Sequence, residues 1–430
     1  MQYIADLHIH SKYSRACSKS LTPENIAKWC EKKGIDIVST ADFTHPGWYR
    51  ELQENLEPAE RGLYKLKGSE NATRFLVSTE ISCIYKKGGK CRRIHLCLWM
   101  PSLETAKKFT KVLISKGCNV SSDGRPILGI DSEEILKIAM EITPDSMVIP
   151  AHAWTPWFAV FGSMSGFDSL EEAFGENAKY IYAIETGLSS DPAMNWRLSQ
   201  LDDIILISNS DAHSLEKLGR EANVFEFKTR PDYYEIVNTI KHKDREKFLH
   251  TIEFFPEEGK YHFDGHRNCK IFLDPEETKK NSYLCPKCKR PLTIGVTHRI
   301  ETLADRPSFT KVSDGKKKED VDKIKEKFVS YKSIIPLQEI IAECFGQGVK
   351  TKKVVSLYEK LISECGSEFN ILLDKNINEI KKCAGEIVGE AVDRVRKGNI
   401  FIRPGYDGEF GDIKIFNSDE REKIKQGSFL

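Results

Sequence analysis

Asp6-Leu7-His8-Ile9-His10-Ser11, close to the start of the chain, decides how the rest is read. It follows the short apolar run Tyr3 to Leu7, which reads as a strand. In extended chain, residues two apart point the same way. His8 and His10 therefore leave the strand end together and can grip one ion. The arrangement recurs downstream, where the strand Ile204 to Ser208 runs into Asn209-Ser210-Asp211-Ala212-His213 and sets Asp211 beside His213. Between the two pairs, further strands carry ligand-type residues at or near their ends. Ile35 to Thr40 leads to Asp42 and His45, Phe75 to Ser82 holds Glu80, Ile94 to Trp99 holds His95, and Met147 to Pro150 delivers His152. Tyr180 to Glu185 and Asn223 to Phe227 read as further strands. A lone strand-end histidine is usually only a polar rim residue; two alternating pairs with a glutamate and other histidines at successive strand ends form a set.

His8, His10, Asp42, His45, Glu80, His95, His152, Asp211 and His213 exceed the needs of one tetrahedral ion. Two or three divalent metals are expected, drawn from Zn, Mn, Mg or Fe, because imidazole and carboxylate ligands occur together. Three carboxylates offset only about half the charge of three divalent ions. A site of that kind stays positive. It suits holding a phosphate, generating hydroxide at neutral pH and stabilising a departing oxygen. His8, His10, Glu80 and Asp211 are the expected catalytic core.

Composition frames this reading. The chain has 430 residues, 40% hydrophobic and 30% charged, with a formal net charge of +1. That is the make-up of an ordinary globular protein of two to three domains, and any basic surface must be local. No apolar run is long enough to span a membrane, and the N-terminus lacks the apolar core of a signal peptide. A cytoplasmic, nucleoid-associated location with no membrane partner is expected. Of twelve cysteines, most stand alone in apolar segments, such as Cys83, Cys97 and Cys383, and read as buried thiols.

Strand–helix alternation over residues 1–250 points to an α/β barrel or a doubly wound sheet. Its first helix has Thr22 as N-cap, Pro23 at the first position, and Gly34 as its stop after Lys33. Residues 256–305 form a second unit, rich in Gly, Cys, His and Lys. In it His266-x-x-Cys269 and Cys285-Pro286-Lys287-Cys288 make two knuckles, and His266, Cys269, Cys285 and Cys288 can close a tetrahedron around one structural zinc. Lys287, Lys289, Arg290, His298 and Arg299 would give this unit a basic face. Residues 306–330, with Lys316 to Lys318, read as a linker or flexible loop. Residues 331–430 read as a helical unit ending in a glycine-rich hairpin, Asn399 to Arg403 with Asp412 to Phe416.

The residues Asp6-Leu7-His8-Ile9-His10-Ser11, Glu80, His95, His152 and Ser210-Asp211-Ala212-His213 resemble the polymerase-and-histidinol-phosphatase (PHP) domain. The resemblance covers residues 1–240 and implies a distorted (β/α)7 barrel with a trinuclear metal site, making residues 1–250 a phosphoesterase domain. The family places a histidine directly after the second-strand aspartate. Here Phe43 stands in that position, and His45 follows as the candidate replacement.

Farther on, Tyr261-His262-Phe263-Asp264-Gly265-His266, Leu284-Cys285-Pro286-Lys287-Cys288 and Glu301-Thr302-Leu303-Ala304-Asp305-Arg306 resemble the endonuclease Q family. So do Gly366-Ser367-Glu368-Phe369 and Pro404-Gly405-Tyr406-Asp407-Gly408-Glu409-Phe410-Gly411. That resemblance implies a metal-dependent DNA-repair endonuclease. It would cut 5′ to uracil, hypoxanthine, xanthine and abasic sites, leaving a 3′-hydroxyl and a 5′-phosphate. Its partner would be duplex DNA with a flipped nucleotide, alongside replication or repair proteins. A lesion nuclease needs a pocket for the flipped base and grips on the backbone. Trp154, Trp157 and Phe158 follow His152 and are candidates for the pocket; Lys350, Lys352 and Lys353 follow a Gly-x-Gly turn and are candidates for phosphate contact. The competing functions are a small-molecule phosphatase and a lesion-binding module without catalysis.

Overall fold

The computed structural model describes residues 1–308 and 325–425. The lysine run 316–318 and most of the expected linker lie outside the described residues. The first helix, Pro23–Lys33, forms where the sequence places it. Thr22 accepts the Asn25 N–H, Pro23 opens the first turn, and Gly34 closes the last in the left-handed region at φ 84°.

Strands β1 (Gln2–Asp6), β2 (Ile37–Ser39), β3 (Leu56–Pro58), β4 (Leu63–Leu66) and β5 (Arg74–Leu76) begin the chain. The long hairpin β6 (Ser78–Lys87) and β7 (Lys90–Trp99) follows, then β8 (Ile127–Leu128) and β9 (Met147–Pro150). Next come β10 (Ala183–Glu185), β11 (Ile205–Ile207), β12 (Ala222–Glu226) and β13 (Phe248–Glu253). Past these, β14 (Asp264–His266) pairs with β15 (Ile271–Leu273), and β16 (Ser330–Ser333) returns to the first strands. The tail hairpin is β17 (Phe401–Arg403) with β18 (Asp412–Lys414).

One mixed sheet runs β16-β13-β12-β1-β2-β5-β4-β3, a second β8-β6-β7-β9, and a third is the parallel pair β10-β11. The expected strand Phe75 to Ser82 is in fact two. Phe75 and Leu76 pair with β2, while Ser78 onward pairs with β7, so Glu80 belongs to the second sheet. Among the described residues the ladders of β1 to β13 and β16 form three sheets and not one ring of hydrogen bonds. The sheets nevertheless meet at their ends. β9 packs beside β10, and the chain after β1 zips to the chain after β11 through Asp211 N–H to His8 O and His10 N–H to Ala212 O. β16 is an edge strand parallel to β13, so Ser330, the last residue of the expected linker, and Tyr331 to Ser333, the first of the expected helical unit, belong to the first sheet.

Helices Leu337–Phe345, Lys352–Cys365, Ile377–Ala384 and Glu386–Arg396 occupy the last third. They share a core with the first helix. Trp29 stacks on Tyr358 at 6.4 Å, and the buried ion pair Lys33–Glu368, at 2.8 Å, lies between them. Glu368 also accepts the Tyr358 hydroxyl and the Leu337 N–H. With those lone pairs filled, losing either charged partner would cost about 3–5 kcal/mol. Among the described residues no helix is long and apolar enough to cross a membrane.

Candidate metal centre

Asp6 fixes the first strand end. Its buried carboxylate accepts Ser210 N–H, Ser210 Oγ and Gly219 N–H, which ties β1 to the loop carrying Asp211. Beyond that buckle, His8, His10, Glu80 and Asp211 converge, their ligand atoms all within 4.8 Å of one another. Glu80, His95 and His152 form a second such group. The carboxylate of Glu80 belongs to both. Its Oε2 lies 3.2 Å from His10 Nε2 and 3.5 Å from His8 Nε2; its Oε1 lies 2.7 Å from His95 Nδ1 and 3.2 Å from His152 Nε2. One carboxylate with an oxygen in each histidine set would be placed to serve an ion in each.

The donor chemistry fits divalent metals. His8 Nε2 is buried and makes no hydrogen bond, although it faces two carboxylates. A buried polar nitrogen without a partner is costly, and a cation among these ligands would satisfy it. Burial opposes charge on Glu80, yet Arg125, His95 and His8 hold it well below the usual carboxylate range. Burial likewise opposes a charged His10, but hydrogen bonds accepted by Asp211, Asp42 and Glu80 raise it well above the ordinary imidazole value. His95 is pushed down to about 4, by burial first, so it is neutral and its lone pair is available.

The backbone is strained where these residues leave their strands. Ala41, Asp42, His152, Phe158 and Asp211 all hold positive φ, from 30° to 64°. Such conformations cost of order 1–3 kcal/mol each and persist only where the surroundings enforce them. Gly187, itself at φ 60°, leaves room: a Cβ there would lie 2.5 Å from the Cβ of His152.

Several expected ligands stand one layer out. Asp42 turns Oδ1 to His10 Nδ1 at 3.3 Å and gives Oδ2 to Ser11 and Ser14, so it orients His10. His213 lies beside His10, ring centroids 4.5 Å apart, with Nδ1 on the Asp211 carbonyl. His45 is not brought to the cluster. It caps the helix Pro46–Asn55 through Nδ1, and its Nε2 meets the Ser121 carbonyl at 3.1 Å. Phe43 is buried against Phe109. A histidine three residues past the aspartate reads as a ligand in sequence, but the left-handed turn at Ala41 and Asp42 sends it into a cap.

Two residues missed by the sequence reading join the site. Glu185 holds His8 Nδ1, the His152 N–H and Asn209 Nδ2. It ends β10, an available signal, but no alternating histidine marked it. Arg125 sets Nη1 3.0 Å from Glu80 Oε2 from a loop with no periodic pattern to reveal it. Cys97 lies against His8 and Glu185, and Cys383 against Cys365 at 2.8 Å, so neither is an isolated thiol.

His266, Cys269, Cys285 and Cys288 come together as expected, ligand atoms within 4.8 Å of one another. Opposed by burial, the N–H groups of Cys288 and Lys287 lower the Cys285 thiol to about 7, as suits a thiolate ligand. Lys287, Lys289 and Arg290 are exposed around this knuckle. His298 and Arg299 are not part of that face. His298 is buried on Asp264, and Arg299 turns inward to the carbonyls of Phe161 and Phe167.

Of the aromatic candidates, Trp154 is fully buried with its N–H on Asn195, and so belongs to the core. Phe158 packs 4.8 Å from His95, and Trp157 is half-buried, edge-on to Tyr261 at 5.6 Å. Lys350, Lys352 and Lys353 are exposed. Lys353 covers the Phe345 ring, and Lys350 reaches Glu216, close in the chain to His213.

Known proteins resemble this chain in sequence and fold. Residues 336–399 match the MJ0043 C-terminal domain. Over 287 residues the chain is 33% identical to the uncharacterized protein MJ0043 of Methanocaldococcus jannaschii, a match that covers 64% of this chain and 34% of that protein. The chain thus spans about a third of that relative's length. The lesion-specific endonuclease PfuEndoQ of Pyrococcus furiosus superposes with a TM-score of 0.82 at 32% identity, covering 98% of this chain and 97% of that one. An endonuclease Q bound to a 27-mer duplex with an abasic lesion at its active site superposes with a TM-score of 0.81 at 32% identity, covering 99% and 98%. At that identity over nearly the full length of both chains, this chain belongs to the endonuclease Q family.

Proposed function

We propose that the chain is a metal-dependent DNA-repair endonuclease. It hydrolyses the phosphodiester 5′ to uracil, hypoxanthine, xanthine or an abasic site and leaves a 3′-hydroxyl and a 5′-phosphate. The observation that carries this reading is Glu80, with one carboxylate oxygen in each of two histidine sets. Bound divalent ions would supply Lewis-acid activation of water and charge neutralisation at phosphorus. His8, His10, Glu80 and Asp211 would hold one ion, and Glu80, His95 and His152 another, with Asp42 and Glu185 orienting the imidazoles.

Asp211 is the most open of the central four, with 24% of its side chain exposed against 2% or less for the others. Substrate would enter on that side. Arg125, 27% exposed with its guanidinium on Glu80, is placed to pair with a phosphoryl oxygen. The neighbouring solved structure carries its abasic duplex at the active site, which supports a duplex substrate for this relative. The zinc set and the exposed lysines of residues 350–353 would grip the flanking backbone.

The deciding experiment is a labelled duplex with one deoxyuridine, incubated with Mg²⁺ or Mn²⁺, with both product ends mapped. A single cut 5′ to the lesion with a 3′-hydroxyl end is expected. Turnover of small phosphate monoesters without any cut in lesion DNA would overturn the reading.

A further inference from the structure

The tail hairpin leaves Phe401, Ile402 and Phe410 exposed, and Phe410 stands farthest out of the three. Phe410 is 64% exposed, the most exposed aromatic side chain among the described residues. An exposed phenylalanine on a mobile loop would mean little. This loop is fixed on every side. Gly405 N–H bonds to Glu257 O, Gly408 N–H to Lys260 O, Gly411 N–H to Glu258 O, and Phe263 N–H to Gly405 O. Asp407 binds the zinc-set segment twice, accepting the Arg267 N–H at 2.7 Å and the Thr293 hydroxyl at 2.6 Å. Gly405 and Gly411 approach the carbonyls of Gly259 and Glu257 so closely that neither could carry a Cβ. A lone exposed apolar ring is ordinary on a protein surface; what sets Phe410 apart is its fixed backbone and the Lys260 ammonium over the ring.

The loop also connects to the metal centre. Tyr261 lies under Gly408 and meets Trp157 edge-on, and Trp157 precedes Phe158, which packs on His95. The ring of Phe410 itself carries the Lys260 ammonium 4.5 Å from its centroid, and the exposed Arg267 reaches Gly408 of the same loop. An aromatic ring with a cation over it, on a loop that an exposed arginine also reaches, complements the base stack and phosphates of a nucleic acid.

We propose that Phe410 is a wedge that enters the base stack of duplex DNA beside the nucleotide drawn toward the metal centre. This rests on the nuclease reading above. Insertion of an apolar ring at a base step offsets the unstacking that extrusion requires. A lesion in unpaired DNA needs no such opening, so the wedge should matter only for duplex.

The test compares Phe410→Ala and Phe410→Trp with the unaltered protein on one abasic oligonucleotide, paired and unpaired, with 2-aminopurine next to the lesion. In the unaltered protein, binding to duplex without added metal should raise the 2-aminopurine signal. Phe410→Ala should lose that rise and slow duplex cleavage about tenfold or more relative to single-strand cleavage, and Phe410→Trp should restore both. Equal loss on the two substrates, no loss, or an unchanged 2-aminopurine rise overturns the wedge alone. If the unaltered protein cuts neither substrate, the nuclease reading fails, and the wedge fails with it.

Discussion

Glu185 meets His8 Nδ1 with both carboxylate oxygens, each at 3.1 Å. The pair is buried, and Glu185 also accepts the His152 N–H at 2.8 Å. One carboxylate thus sets the ring of His8 and the backbone of His152, which lie in different ligand groups. Glu185→Ala should lower metal affinity about 10–100-fold, as removal of outer-sphere partners does. Glu185→Gln, which keeps an acceptor for one contact, should lose less. Metal stoichiometry by mass spectrometry at limiting metal, with circular dichroism as a check on folding, measures this. Full occupancy in the alanine variant would remove Glu185 from any role in orienting ligands.

Asp211→Asn and His10→Ala should each abolish cleavage while leaving DNA binding largely intact, since both side chains belong to the ligand group around Glu80 and not to the proposed backbone grips. His45→Ala is the contrast. Its loss removes a helix cap, which costs about 0.5–2 kcal/mol of stability, and cleavage should persist. Cleavage rates and denaturant midpoints for the three variants separate the roles. A His45→Ala variant as dead as His10→Ala would return that histidine to the metal centre.

The site was legible where ligands alternate along extended chain. His8 with His10, and the isolated Glu80, His95 and His152, reached the cluster from strand position alone. Asp42 and His45 show the limit. Positive φ at Ala41 and Asp42 redirects the chain, and no residue in that stretch announces the turn, since neither is glycine. Glu185 and Arg125 arrive from other segments, and which strand ends face one another is set by sheet order, not by local pattern. The break at Val77 was hidden because Phe75 to Ser82 is apolar enough to read as one strand, though its halves pair in different sheets.

Cys285→Ser should release one zinc, lower thermal stability and weaken DNA affinity, with cleavage at saturating DNA little changed. The four ligands form a closed set whose metal affinity adds directly to folding. The set also anchors Asp407 through its segment, so the tail hairpin should loosen. A variant with one zinc fewer and unaltered stability would make the zinc an accessory.

Stability should fall as pH rises across the neutral range. Burial pushes Glu253 up to about 8, partly offset by the hydroxyls of Thr251 and Thr186; burial, and then the Glu253 carboxylate, push Glu221 well above its usual value. The unfolded chain gives up these protons near the ordinary glutamate value of 4.5. Between 4.5 and about 8 the folded state therefore binds more protons, so this stabilisation is complete below 4.5 and is lost as pH passes 8. Glu253→Gln, neutral at every pH, should flatten the decline. Urea midpoints at about pH 5, 7 and 9 test this, and an equal slope in the variant would place the pH dependence elsewhere.

Trp157 and Trp154 are three residues apart and should behave oppositely. Trp154 is fully buried with its N–H satisfied, so Trp154→Ala should cost about 3–5 kcal/mol through the cavity left, with activity falling only as the protein unfolds. Trp157 is half-buried beside Phe158 and Tyr261, at the edge of the metal centre. A flipped uracil or hypoxanthine could stack there, worth about 1–3 kcal/mol per base. An abasic nucleotide has no base to lose contact. Trp157→Ala should therefore lower the ratio of uracil to abasic cleavage about tenfold while abasic cleavage changes little. Single-turnover rates on matched duplexes decide it. An equal loss on both substrates would mean that Trp157 braces the Tyr261 segment and does not meet the base.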